Sequence, residues 1–265
     1  MQKRSPFYLF LWIFCWLSAT PGFANENQIS SEAETEIQEA SKIVKAAIDY
    51  WRDESSYSVS DMTIHRLDWE RTMTMRVWTL GMKNSLVRVL EPAKDKGNAT
   101  LITNEKMWSF SPKTNRVIKI PSSMMSQSWM GSDFSNNDVA KADDLLKYYT
   151  HTLLGTETVN EQTVYIIEAV PVEDAPVVWG KEVVKIRADY IVLEHAFYDQ
   201  DQILIKKMVT SNIQEMGGKP IATKQRMQKA ETPGEWTEIT VQEAKFKITI
   251  PRPTFTLSNL NNPRN

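Results

Sequence analysis

Lys96-Gly97-Asn98-Ala99-Thr100-Leu101, Met107-Trp108-Ser109-Phe110-Ser111-Pro112 and Arg116-Val117-Ile118-Lys119-Ile120 read as three short strands, each entered or left through a turn. Lys96-Gly97-Asn98 leads into Ala99–Thr103, Asn104-Glu105 into Met107–Ser111, and Pro112-Lys113-Thr114-Asn115 into Arg116–Ile120. Gly, Asn and Pro at such spacing leave no room for a helix, so the chain must fold back on itself as antiparallel neighbours.

Upstream, the same period of two begins at Ser55. Tyr57, Val59, Asp61 and Thr63 alternate with Met62 and Ile64; Met73, Met75, Val77 and Thr79 alternate with Thr72, Thr74, Arg76 and Trp78. Leu86–Leu90 forms the next strand and ends at Glu91-Pro92. Six close-spaced strands predict a meander. Downstream, strands are predicted over 149–158, 164–172, 182–189, 191–198, 203–216, 219–229 and 237–248. About thirteen strands exceed what an open sheet carries comfortably, so the sheet should curl strongly. The fold class expected is mainly β with α: an incomplete antiparallel barrel covered by helices.

Three segments depart from the strand rhythm. In 29–52, Ile37, Ala40, Ile43, Val44, Ala47, Ile48 and Trp51 recur at spacings of three and four, which predicts an amphipathic helix. Ser30 or Ser31 would cap it, with Glu34 closing a capping box. Pro121–Asp143 mixes Met124, Met125, Trp129, Met130 and Phe134 with serines and asparagines, apolar without being strand-like. Ser135 or Asn136 could cap a short helix running through Val139 and Ala142 towards Leu145 and Leu146. Pro253–Leu260 could form a closing helix.

At the start, Lys3 and Arg4 precede an apolar run from Phe7 to Leu17, followed by Pro21, Gly22 and Ala24. This is the order of an export leader, cleaved after Ala24. The run is too short to span a bilayer, which needs about 20 apolar residues. Residues 1–24 are expected to be a signal peptide and 25–265 a single exported domain. Cys15, the one cysteine, lies inside the apolar run, so the exported chain should carry no disulfide and no thiolate site.

Composition narrows the function classes. With 31 basic and 33 acidic residues the net charge is −2, and a nucleic-acid footprint is not expected. His65, His151 and His195 are far apart and match no zinc-type pair; no Gly-x-Ser-x-Gly elbow or phosphate loop is present. Asp143-Asp144, Glu173-Asp174 and Asp199/Asp201 are carboxylate clusters at turns, where solvation is the commoner role. No enzyme, metal or cofactor is expected. The chain does hold 12 Met and 9 Trp, with Met62, Met73, Met75, Met82, Met107, Met124, Met125 and Met130 in its first half. Methionine is unbranched and polarisable, and repacks around varied partners. A concavity lined by Met75, Trp78, Leu101, Met107, Trp108, Phe110, Met124, Met125 and Trp129 is the expected ligand cavity.

Taken together, Lys96–Leu101, Met107–Pro112, Arg116–Ile120, Gly131-Ser132-Asp133-Phe134-Ser135 with Asp138, and Phe255–Leu260 resemble the outer-membrane lipoprotein-sorting family of LolA-like periplasmic carriers. The resemblance covers most of the chain after Ser55. It implies an incomplete barrel whose apolar interior, covered by helices, binds lipid or lipoprotein acyl chains and passes them between inner and outer membranes. It also implies partners: an inner-membrane transporter of the RND or ABC type and an outer-membrane acceptor. A non-catalytic adaptor for an inner-membrane lipid exporter is the alternative. Gly131, Ser132, Asp133, Phe134 and Asp138 would be a lid motif, with Gly131 as hinge, Asp133 accepting backbone N–H bonds and Phe134 plugging the barrel. Lipoprotein carriers hold the closed lid with an inward arginine; here the chain departs from the family, since Arg76 and Arg88 lie on predicted strands without matching it.

Overall fold

A computed structural model describes residues 26–141 and 143–263; the expected leader lies outside them. Helix α1 (Glu26–Arg52) is followed by six strands: β1 (Ser55–His65), β2 (Glu70–Leu80), β3 (Asn84–Glu91), β4 (Ala99–Thr103), β5 (Lys106–Ser111) and β6 (Arg116–Lys119). After the short helices α2 (Asn136–Ala140) and α3 (Asp144–Lys147) come seven more. These are β7 (Tyr149–Val159), β8 (Gln162–Pro171), β9 (Lys181–Arg187), β10 (Val192–Tyr198), β11 (Leu204–Met216), β12 (Lys219–Lys229) and β13 (Trp236–Phe246). Helix α4 (Leu257–Asn261) closes the described chain.

All described strands form one antiparallel sheet in the order β6-β5-β4-β3-β2-β1-β13-β12-β11-β10-β9-β8-β7. Two meanders therefore meet where β1 pairs with β13, with Met62 opposite Ile239 and Tyr57 opposite Lys245. The outer edges, β6 and β7, do not pair, so the sheet is not closed. Residues 120–148 run from one edge strand to the other. That connection explains why this stretch could not keep a strand rhythm: it crosses an open seam.

Side-chain alternation sorts the first meander into two buried faces. On one, Met62, Ile64, Met73, Met75, Val89 and Met107 pack with Phe197 of β10 and Met227 of β12. Contact between such distant strands requires the sheet to curl. Each such side chain, fully buried, contributes roughly 1.5–3 kcal/mol, so this face joins the two halves. On the other, Leu86, Ala99, Leu101 and Phe110 pack under Ile250, Phe255 and Leu260. Arg88 fixes that covering segment by donating from Nη2 to the carbonyls of Asn259 and Leu260, at 2.8 and 3.2 Å.

The helical segments differ from expectation in two details. Helix α1 begins at Glu26, so Ser30 and Ser31 lie within it and not at its start. Its stripe of Ala40, Ile43, Val44 and Ala47 packs against Ile167, Val184 and Ile186. The helix expected from Ser135 to Leu146 is two helices, because Lys141 leaves helical geometry at φ −124 and ψ 52.

Candidate functional site

The Gly131 motif is a tight loop built from its own backbone. Trp129 N–H donates to Phe134 O at 2.7 Å and Ser132 N–H to Trp129 O at 3.0 Å. The turn needs two successive left-handed residues, Met130 (φ 52) and Gly131 (φ 79), which a side chain tolerates poorly and glycine tolerates freely. Ser132 Oγ also donates to Trp129 O at 2.7 Å. This geometry aims Asp133 inward, where it is buried. Arg66, in the β1–β2 loop, grips both carboxylate oxygens with Nη1 and Nη2, at 3.1 and 3.2 Å. Thr237 Oγ1 donates to Asp133 Oδ2 at 2.7 Å and accepts from Asp133 N–H at 3.0 Å. The acceptor oxygens of Asp133 thus serve a guanidinium and a hydroxyl where backbone N–H groups were expected.

A second tie lies one helical turn further on. Ser135 and Asp138 form a reciprocal capping box at the start of α2. Asp138 also accepts from the ammonium of Lys206 on β11, with side chains only 9% and 5% exposed. The Lys206 ammonium sits 5.1 Å from the Trp179 ring centroid and 5.0 Å from that of Phe197, within cation–π range. Residues 129–138 are therefore held to the sheet at β13 through Thr237, at the β1–β2 loop through Arg66, and at β11 through Lys206.

Beside this segment lies a cavity of about 300 Å³ between α1 and strands β9 to β12. Its apolar wall includes Val44, Ala47 and Ile48 from the helix and Val184, Ile186, Phe197, Met208, Ile221, Ala222 and Met227 from the sheet. Phe134 and Asp138 reach it from the Gly131 loop and the start of α2. The volume falls at the low end of the roughly 300–1,000 Å³ usual for small-molecule sites.

Part of the lining is polar. His195 Nε2–H donates to Glu182 Oε2 at 2.5 Å, and the imidazole stacks on Phe197 with centroids 4.1 Å apart. Burial, reinforced by the neighbouring Glu182 and Asp144 carboxylates, pushes the Tyr149 phenol far above its ordinary pKa. Burial likewise raises the Asp144 carboxyl. Arg52, also in the lining, donates from Nε and Nη2 to Gly81 O and from Nη2 to Asn84 O. Among the described residues no group of three or more His, Cys, Asp or Glu could hold a metal ion. His65 pairs with Glu70, and His151 bridges Ser41 and the Leu145 carbonyl.

None of the nine residues expected to line a ligand cavity lines this one. Met75, Met107 and Trp129 are buried in the inner core, with Met125 packed against it. Trp78, Leu101, Trp108 and Phe110 face the opposite side of the sheet, beneath the C-terminal segment. Met124 is exposed. Of the residues expected to form a lid, Phe134 and Asp138 reach the cavity, Ser132 and Asp133 are buried beside Thr237, and Gly131 is exposed. Sequence reasoning missed Arg66, Thr237, Lys206 and Glu182, and set His195 aside as an isolated histidine. Alternation could have found three of them: Lys206 shares a face with Met208, Glu182 with Val184 and Ile186, and His195 with Phe197. A charge on an otherwise inward apolar face is the signal.

No curated protein matches the chain. Solved structures do. A DUF1329 family protein from Desulfovibrio piger matches at 24% identity and TM-score 0.77, over 85% of this chain and 99% of its own. A domain from Vibrio parahaemolyticus, described as an outer membrane lipoprotein-sorting protein, matches at 24% and 0.73 over the same shares. A LolA superfamily protein from Nitrosomonas europaea matches at 23% and 0.68, over 82% of this chain and 97% of its own. A family model described as "Uncharacterized protein", -like, matches residues 81–262. The chain belongs to the family of that model, and its fold is the LolA-like fold shared with the lipoprotein-sorting structures.

Proposed function

We propose that this protein is a periplasmic, non-enzymatic carrier that binds an acyl chain of a lipid or lipoprotein in the cavity between α1 and β9–β12. It would move that cargo between inner and outer membranes, receiving it from an inner-membrane transporter and releasing it to an outer-membrane acceptor. Residues 1–24 would be the export leader and 25–265 the single carrier domain. The observation that carries the proposal is the cavity itself, walled by Val44, Ala47, Ile186, Met208, Ile221 and Met227. The lipoprotein-sorting and LolA superfamily structures of the same fold support it.

The energetics suit a carrier. Burying about eight methylenes at roughly 0.8 kcal/mol each gives about 6 kcal/mol, a Kd on the order of tens of micromolar. Such binding is reversible, as release requires. The adaptor alternative draws on Met75, Met107 and Trp129, which fill the inner face of the first meander. The cavity beside the second meander favours the carrier.

The test is equilibrium uptake of a fluorescent fatty acid by the wild-type protein and by Ala222→Trp. Ala222 is buried and lines the cavity, so the indole should occupy the chain's volume. Wild type should bind and the variant should lose at least about tenfold in affinity while still unfolding cooperatively. Equal uptake by both would place any bound chain elsewhere.

A further inference from the structure

Exposed charge is unevenly spread over the sheet. Residues 92–120 carry β4, β5, the edge strand β6 and their loops, and hold six basic residues: Lys94, Lys96, Lys106, Lys113, Arg116 and Lys119. All six are exposed, and none has an ion-pair or side-chain hydrogen-bond partner among the described residues. The stretch has two acids, and cations from outside it neutralise both. Asp95 pairs with Arg71 at 3.0 Å, and Glu105 with Lys147 at 3.2 Å and Lys83 at 3.6 Å. The chain as a whole is net −2, so this positive face is a local feature.

The fold gathers these cations. The β3–β4 loop is tight: Lys96 N–H donates to Pro92 O at 3.0 Å and Gly97 N–H to Val89 O at 2.9 Å. It abuts the β5–β6 turn, where a Cβ on Gly97 would lie 3.3 Å from Pro112 Cγ. Lys94 and Lys96 therefore stand beside the turn that carries Lys113 and leads into Arg116. Three neighbouring strands span about 10 Å across, and a six-residue strand is about 17 Å long. Cations at that density lie within one or two Debye lengths of one another, about 8 Å each at physiological salt, so their fields add. Charges on an edge strand also block the addition of further strands. That role needs β6 alone, whereas Lys94, Lys96 and Lys113 stand on loops.

We infer that the β4–β6 edge, with the β3–β4 loop, is a docking surface for a membrane that contains anionic phospholipid. The cations are spread over loops and an edge strand, as a broad negative surface requires, and do not converge on a cleft that would enclose a small anion. Ile118 points the same way: it lies on β6 between Arg116 and Lys119 and is 55% exposed. An aliphatic side chain among cations can enter the headgroup–acyl boundary while the ammonium groups stay with the phosphates. The inference goes beyond the carrier reading, since this surface can hold a membrane whether or not the cavity takes an acyl chain.

Co-sedimentation of the full protein with vesicles tests this, using phosphatidylcholine alone and phosphatidylcholine mixed with phosphatidylglycerol. Wild type should bind the mixed vesicles and not the neutral ones, and about 1 M salt, where the Debye length falls to about 3 Å, should release it. Each basic residue at an anionic surface strengthens binding roughly fivefold, so the triple change Lys94→Gln, Lys96→Gln and Lys113→Gln should weaken it at least about tenfold. A control triple, Lys42→Gln, Lys45→Gln and Lys245→Gln, alters net charge equally outside the patch and should bind as wild type does. Both triples are checked for cooperative unfolding and for fatty-acid uptake, which should be unchanged. Equal binding of wild type to both kinds of vesicle, or equal losses in the two triples, overturns the inference. So does retention on heparin without vesicle binding, which would assign the patch to a soluble polyanion. Absent vesicle binding with intact fatty-acid uptake removes the docking surface and leaves the carrier reading standing; vesicle binding without uptake does the reverse.

Discussion

Replacing Arg66 with Met should destabilise the protein strongly. The substitution keeps the stem's bulk and removes the fork that holds both oxygens of Asp133. Asp133 would then keep one hydroxyl partner, Thr237, while its side chain is 3% exposed. Removing one partner of a buried pair typically costs about 3–5 kcal/mol, because an uncompensated charge stays behind. The reverse change, Asp133→Ala, should cost less, about 1.5–3 kcal/mol. Arg66 would still donate to the carbonyls of His65 at 2.8 Å and Trp236 at 3.3 Å, and sit 3.5 Å from Glu235. Urea unfolding reads both: with slopes of about 2–3 kcal/mol/M, Arg66→Met should lower the midpoint by roughly 1–2.5 M at unchanged slope. Losses below about 1 kcal/mol for both, or a larger loss for Asp133→Ala, would refute the reasoning that a buried carboxylate depends on this arginine.

The remaining predictions concern the other ties. Lys206→Met should loosen α2: Asp138 loses its buried cation, and the cost should reach about 3–5 kcal/mol, read as a midpoint shift in urea. Recovery by the double change Asp138→Asn with Lys206→Met would confirm that the stranded charge is the cause, and equal loss in both would contradict it. His151 makes stability pH-dependent. Burial lowers its pKa below the ordinary 6.5, and the neutral ring is held by Ser41 Oγ and the Leu145 carbonyl. The unfolded chain therefore binds the proton more readily than the folded one. Stability from this group is fully present above about 6.5 and falls as pH drops through that value towards the depressed folded pKa. His151→Gln should flatten that part of the pH–stability curve; an unchanged curve would show that His151 does not set it.

The strands were legible because their alternation and turns are local. Ala99–Thr103, Asn104-Glu105 and Met107–Ser111 read the same in the sequence and in the sheet. What alternation could not reveal is which face is inside. In the first meander both faces are buried, one against the second meander and one beneath Phe255 and Leu260. Met75 and Trp78 are therefore equally apolar neighbours that end on opposite sides. The cavity escaped notice for a related reason. Its wall joins α1 to β9–β12, and the Val, Ile and Ala there resemble any core. Arg66 escaped because it lies in a loop, 67 residues from Asp133 in sequence, where no periodicity marks it. The Gly131 loop was legible as a turn, yet its partners belong to segments that only the fold brings together.

The most direct measurement is native mass spectrometry, with lipid extraction, of protein isolated from the periplasm without detergent. Binding in the cavity predicts one acyl-bearing molecule per chain in wild type and its loss in Ala222→Trp. A wild-type protein free of any acyl species, which also takes up no added fluorescent lipid, would contradict the carrier function.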